Sequence, residues 1–245
     1  MRAVILAAGF GSRLVSITGG APKVLTPVAG EPLIQRALRL LKEVGVHEVV
    51  VVLGHERQRV REALRDSPLP LRFVVNPLYA ETQTFFSLML TRPFVEDEPF
   101  LKLNGDVIFD LEVLERLVAS PAPLALAVDD RVRLDEEAMK ITVSRDGRVT
   151  RIGKGLPVAA SYGESIGIEK ISPPFAGALF DCMESAARDG ERKLYYEDVF
   201  QRAIDLGVAR FEPVCIGGLR WTEIDDAKDH ARAVRLFEST DMAAE

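Results

Sequence analysis

The sequence predicts an α/β protein with a mostly parallel mixed central sheet covered by helices and a small antiparallel annex. Short aliphatic and β-branched runs alternate with segments of helical apolar spacing through the first half of the chain. From about Pro123 the rhythm changes, and KITVSRDGRVTRIG reads as a hairpin turning at Asp146-Gly147.

Arg2 to Ala8 is a buried strand bounded by Gly9, and VLTPVAG is a short extended piece beyond the first loop. EPLIQRALRLLKEVG carries apolar residues at helical spacing up to a glycine stop. HEVVVVLG then reads as strand, HERQRVREALRD as helix, LRFVVN as strand, TQTFFSLML as helix and FLKLNGDVIF as strand. LALAVDD is a further buried strand, followed by the hairpin. PPFAGALFDCMESAARDG is a helix with proline near its start and glycine past its end. YYEDVFQRAIDLG is a second helix, FEPVCIGG a strand, and Asp226 opens a closing helix with a short polar tail. Without repeats or low-complexity linkers, one domain is expected over 1–238, in halves of about 1–122 and 123–238, with 239–245 as tail.

The chain has 245 residues with an apolar share of 47%, enough for a sizeable core. Its net charge of −6 comes with no dense Lys/Arg block, so nucleic acid is not an expected partner. Cys182 and Cys215 fit neither a disulfide framework nor a zinc site and read as buried thiols of a reducing compartment. The N-terminus lacks signal-peptide order, and no apolar run approaches the roughly 20 residues of a membrane span, so a cytoplasmic protein without membrane contact is expected.

The loop after the first strand is where chemistry would sit. A dinucleotide fingerprint counted from Gly9 requires glycine at its sixth position, where this chain has Leu14, and no acid follows about 20 residues on at the end of a second strand. A Walker A loop is absent too, since the sole Gly-Lys pair, Gly153-Lys154, is followed by Gly155. What remains is a set of small residues, Ala7, Ala8, Gly9 and Gly11, that lets backbone N–H groups approach a ligand, with Arg13 and Lys23 as two nearby cations in sequence. A polyphosphate suits such a loop.

The run from Leu6 to Ile34 resembles the nucleotidyltransferase family that makes sugar nucleotides and CDP-alcohols, whose signature reads LAAGxGxRLxPxTxxxPKxLxPVxGxPLI. It departs at Ser16, where the family usually has proline. The resemblance implies a Rossmann-like three-layer α/β/α fold, with the first half binding nucleotide and the second the acceptor. By the same resemblance Leu6, Ala7, Ala8 and Gly9 hold base and ribose, Gly11, Ser12 and Arg13 the β- and γ-phosphates, and Lys23 the reacting phosphates. Thr82, Gln83, Asn104 and Gly105 complete the expected nucleotide site. LNGDVIFD and WTEIDDAKDHARA resemble the family's two metal-binding islands, which assigns Mg²⁺ to Asp106 and Asp225, while Asp226 reads as a helix cap.

NPLYAETQTFFSL, AMKITVSRDGRVTRIGKGL, YGESIGIEKIS and YYEDVF resemble the branch acting on phosphocholine, aminoethylphosphonate and related acceptors. This implies CTP as nucleotide and a small phosphate or phosphonate alcohol as acceptor. Lys154 aligns with a lysine that contacts the transferred α-phosphate or the acceptor's phosphate. Glu164 and the cluster Tyr195, Tyr196, Glu197, Asp198 are the candidate acceptor pocket, because acids beside aromatic faces attract ammonium groups; for the cluster, packing of a helix N-terminus is the competing role. Trp221 belongs either to that wall or to the core. His47, His55 and His230 have no metal-ligand spacing. A homodimer is ordinary for such enzymes. A sugar-1-phosphate nucleotidyltransferase using UTP, GTP or dTTP, and a nucleotide-sensing homologue without turnover, are the alternatives.

Overall fold

The structure, a computed structural model, describes residues 1–9, 11 and 19–238. Ser12, Arg13 and the tail 239–245 lie outside the described residues. In chain order the elements are β1 (Arg2–Ala7), a one-turn 3-10 helix (Lys23–Leu25), β2 (Pro27–Val28), β3 (Glu31–Pro32), α1 (Leu33–Glu43), β4 (Glu48–Leu53), α2 (Arg57–Ala63), β5 (Leu71–Val75), α3 (Thr84–Met89), α4 (Arg92–Val95), β6 (Phe100–Asn104) and β7 (Val107–Phe109). There follow α5 (Leu111–Ala119), β8 (Leu124–Asp129), β9 (Lys140–Val143), β10 (Val149–Gly153), a second 3-10 turn (Val158–Ala160), β11 (Gly163–Ile171), α6 (Phe175–Arg188), α7 (Tyr196–Asp205), β12 (Glu212–Cys215), β13 (Trp221–Glu223) and α8 (Ala227–Glu238).

After their opening residues Arg2 and Glu48, β1 and β4 are apolar at every position because both faces of the sheet are covered. Val49, Val51 and Leu53 of β4 point into one core with α1 and α5, whereas Val50 and Val52 point into a second with α3, α6 and α7. These two cores make the layered α/β/α arrangement. α1 buries Leu33, Ile34, Ala37, Leu38, Leu40 and Leu41, the stripe a 3.6-residue period produces. It stops at Gly45, whose φ of +81° turns the chain and lets Val46 donate back to Leu41 O at 3.0 Å.

The sheet among the described residues has nine strands: the path β10-β9-β11-β6-β1-β4-β5, with β8 beside β11 and β12 beside β8. The run β6-β1-β4-β5 is parallel, while β11 is antiparallel to β6, β8 and β9. β11 changes partners along its length: Gly163 and Glu164 pair with β9, and Ile168 to Ile171 with β6. An irregularity between Ser165 and Glu169, with Gly167 at φ +77°, makes this change and opens a fork in the sheet.

Some expectations are corrected. VLTPVAG is not one extended piece: Lys23–Leu25 forms a 3-10 turn, and Pro27–Val28 pairs with Glu31–Pro32, so α1 begins only at Leu33. FLKLNGDVIF is two strands, because β7 leaves the main sheet after Gly105-Asp106 and pairs with β13. α5 and β13 are additional elements.

Candidate active site

Parallel β1 and β6 are neighbours with Leu6 opposite Asn104, so their carboxyl ends open onto the same crevice. Gly105 donates its N–H to Leu6 O at 3.1 Å, and a Cβ on Gly105 would lie 2.6 Å from that oxygen and from Val24 Cγ1. This close approach requires glycine and sets Asp106 at the crevice rim. The antiparallel pairing of β7 with β13 then places Glu223 opposite Val107, and Ile224 N–H donates to Asp106 O at 3.0 Å. Carboxylate oxygens of Asp106, Glu223 and Asp225 consequently lie within 4.8 Å of one another.

Lys23, delivered by the 3-10 turn, reaches into this cluster. Its Nζ donates to Asp106 Oδ2 at 2.8 Å and also bonds Asp225 Oδ1. Burial pulls the ammonium's pKa down, but the two carboxylates outweigh that and hold it above the ordinary lysine value. Glu223 is pushed up to about 8 by burial and by Asp106 and Asp225. Asp106 Oδ1 is buried without a hydrogen-bond partner.

A cavity of about 970 Å³ extends from this cluster across both halves of the chain. Its first wall includes Leu6, Ala8, Gly9, Thr82, Gln83 and Asn104. Buried Asn76 braces that wall, donating to Thr82 Oγ1 at 3.1 Å and Ser87 Oγ at 3.0 Å. A Cβ on Gly9, which lines the cavity, would meet nothing within 4 Å among the described residues. Ala7 instead packs into the core, and Gly11, at φ +62°, lies against Lys23 rather than on the cavity wall.

The opposite wall carries Lys154, Glu164, Tyr195, Tyr196, Glu197 and Trp221. Lys154 Nζ is 3.3 Å from Glu137 Oε2, and Trp221 Nε1 donates to Asp129 Oδ2 at 2.7 Å. Burial first, then Asp135 and Asp129, push Glu164 up to about 7. Glu197 is buried, its Oε2 has no hydrogen-bond partner, and burial, with a contribution from Glu169, raises its pKa to about 7. Tyr195 is exposed, whereas Tyr196 is wholly enclosed and donates its hydroxyl to Glu169 Oε1 at 3.1 Å. Asp198 does not line the cavity: its carboxylate accepts Tyr195 N–H at 2.7 Å in a capping box at the start of α7. Asp226 likewise caps α8, accepting the N–H groups of Lys228 and Asp229.

Glu223 joins the acid cluster although the sequence reading passed over it. The signal was present in Glu-Ile-Asp, since alternate residues of an extended segment share a face. Lys102 and Glu169, buried beneath the cavity, gave no such signal, because Lys102 is a lone charge in β6 and Glu169 sits beside Lys170 in β11 with no motif around either.

The profile of the MobA-like NTP transferase domain matches residues 3–243. The chain belongs to this nucleotidyltransferase family. Among its relatives, this nucleotidyltransferase is 33% identical over 241 residues to the CMP-5'-(3-aminopropyl)phosphonate synthase of Streptomyces rubellomurinus, covering 95% of this chain and 38% of that protein. It is 34% identical over 230 residues to the bifunctional IPC transferase and DIPP synthase of Rubrobacter xylanophilus, covering 93% of this chain and 50% of the other. The chain thus spans half or less of the length of these two curated relatives. The inositol-1-phosphate CTP transferase of T. maritima superimposes with a TM-score of 0.82 at 27% identity, over 97% of this chain and 96% of that one. No helix among the described residues is long and apolar enough to cross a membrane.

Proposed function

We propose that the protein is a Mg²⁺-dependent cytidylyltransferase that joins CTP to a small phosphate or phosphonate acceptor carrying an amine, releasing pyrophosphate. The observation that carries this reading is the continuity of one cavity. It joins the Lys23–Asp106–Asp225 cluster to a wall where buried Glu197 has an unpaired carboxylate oxygen. The names of the relatives, a phosphonate synthase and a CTP transferase, support the nucleotide and the acceptor class.

The acid cluster suits a hard divalent cation: all its donors are carboxylate oxygens, and Asp106 Oδ1 is an unsatisfied buried acceptor. Asp106 and Asp225, with Glu223, would hold it, and when bound it supplies charge neutralisation to the triphosphate. The chain's own groups do the rest. The acceptor's second pKa is near 6, so it is largely a dianion at neutral pH and needs no general base. Its oxygen forms a bond to the α-phosphorus as the bridge to the β-phosphate breaks, and that electron pair leaves with pyrophosphate. Lys23, freed from its carboxylates, and Arg13 offset the charge on the phosphates. The backbone at Gly9 admits the nucleotide, Thr82 and Gln83 flank the base, and Lys154 meets the acceptor's phosphate. Glu164 and Glu197, beside Tyr195 and Trp221, take the amine.

Pyrophosphate release, measured with and without chelator, is the test, crossing CTP, UTP, GTP, ATP and dTTP with 2-aminoethylphosphonate, phosphocholine, inositol 1-phosphate and glucose 1-phosphate. Chelator-sensitive release with CTP and an amine-bearing acceptor is expected. Release with another nucleotide and glucose 1-phosphate, or with inositol 1-phosphate alone, would contradict the reading.

A further inference from the structure

Lys102 is a lysine in the middle of a central strand, wholly enclosed, opposite Val4 of β1 and flanked by Leu101 and Leu103. Aliphatic residues ordinarily fill such positions, and a buried ion pair is seldom more stable than the apolar packing that could replace it. Two other buried lysines, Lys140 and Lys170, bond backbone carbonyls away from the cavity wall. Lys102 differs because three of its four partners, Asn104, Gly167 and Tyr196, line the cavity. Its Nζ donates to Asn104 Oδ1 at 2.7 Å and to Gly167 O at 3.4 Å, pairs with Glu169 Oε2 at 3.1 Å, and lies 3.2 Å from the centroid of the Tyr196 ring. Glu169 in turn accepts the Tyr196 hydroxyl, so that ring is held at its face and at its tip.

We infer that Lys102 is a positioning residue: its ammonium locks Asn104, Gly167 and Tyr196, contributed by β6, β11 and α7, into one cavity floor. An ammonium can only donate, so it fixes which end of the Asn104 amide it meets. Oδ1 is taken, and Nδ2 is left to donate to a phosphate, hydroxyl or carbonyl oxygen of a ligand. The amide has room because Gly167 lacks a Cβ, which would collide with the Asn104 side chain. Glu169 supplies the counter-charge that keeps this ammonium inside the protein; burial works against both charges, pulling Lys102 down and pushing Glu169 up. The arrangement ties the nucleotide wall to the acceptor wall through one side chain.

The kinetic part of the test rests on the cytidylyltransferase reading; the structural part does not. Lys102→Met combined with Glu169→Gln removes both charges without leaving either alone. In a crystal structure of this variant, the Asn104 amide and the Tyr196 ring lose their single orientation. With CTP and the acceptor the wild type uses, kcat/KM falls about ten- to a hundredfold, the scale of a displaced reacting group, at temperatures where the variant is folded. Lowered melting with unchanged kcat and both KM values, or an unmoved Asn104 and Tyr196, overturns the inference in favour of a packing role. If the double variant does not fold, Glu169→Gln alone weakens the anchor; it is expected to raise KM, and wild-type kinetics would overturn the inference. A wild type silent with every nucleotide defeats the functional reading, and the crystal structure then decides the role of Lys102.

Discussion

Lys23 Nζ and Asp106 Oδ2 meet at 2.8 Å, and the same ammonium bonds Asp225. A side-chain cation thus stands among the carboxylates that would hold a divalent ion. Metal entering this cluster must displace the lysine, which becomes available to phosphate. Lys23→Met is predicted to bind Mn²⁺ at least about tenfold more tightly without nucleotide, because a competing unit charge is gone. Its turnover falls about 10²- to 10³-fold with a lost transition-state cation. Calorimetry with metal alone checks the first effect, and unchanged or weaker affinity counts against competition.

Asp106→Asn and Asp225→Asn should each reduce turnover about 10²- to 10³-fold, the scale for loss of one preorganised charge-stabilising group. Circular dichroism and melting should stay near wild type, because neither carboxylate is part of the apolar core. Near-normal activity in a folded Asp106→Asn protein would remove Asp106 from the metal role.

Glu197 and Glu164 each carry a pKa raised from 4.5 to about 7. Around Glu197 stand Lys102, Glu169 and Tyr196; around Glu164 stand Asp135, Asp129, Arg232 and Lys140. Both acids bind protons more readily folded than unfolded, so their contribution to stability is fully present below pH 4.5 and is lost as pH rises through about 7. Binding of an ammonium needs the opposite, ionised form. KM for an amine-bearing acceptor should therefore fall as pH rises through 7, and Glu197→Gln should flatten the profile. An identical pH profile in that variant would exclude Glu197 from the amine contact.

Two glycines of the crevice separate stability from binding. Gly105→Ala forces a Cβ to 2.6 Å from Leu6 O and is predicted to cost about 1–3 kcal/mol, as overpacking does. Gly9→Ala meets nothing within 4 Å among the described residues, so melting should not change while KM for the nucleotide rises. Thermal melts of the two variants beside their nucleotide KM values check the contrast.

Much of the fold was legible because both faces of the first strands are buried, which makes AVILAA after Arg2 and VVVVL after Glu48 continuous apolar runs unlike the helices between them. Boundaries failed where tertiary pairing overrode local pattern. FLKLNGDVIF reads as one strand with apolar residues on either side of Asn104-Gly105-Asp106, yet the approach of Gly105 to Leu6 breaks it, and β7 takes a partner 112 residues downstream at Phe109–Trp221 that lies beyond local pattern. Within the site, motif residues such as Lys23, Asp106 and Asp225 were legible and converge in space. Lys102 and Glu169 were not, since only the pairing of β6 with β11, at Lys102–Glu169, brings them together. Asp198 was read as a wall residue because a capping acid and a pocket acid look alike in sequence; its bond to Tyr195 N–H distinguishes them.

The most direct measurement of the central claim is ³¹P NMR of the purified protein with CTP, Mg²⁺ and 2-aminoethylphosphonate. The account predicts a phosphonate–phosphate anhydride with two coupled phosphorus signals, together with an equal amount of pyrophosphate, and both forming at least about a hundredfold more slowly with Asp106→Asn. CTP unchanged with every amine-bearing acceptor, while a hexose phosphate is converted with another nucleotide, would contradict it.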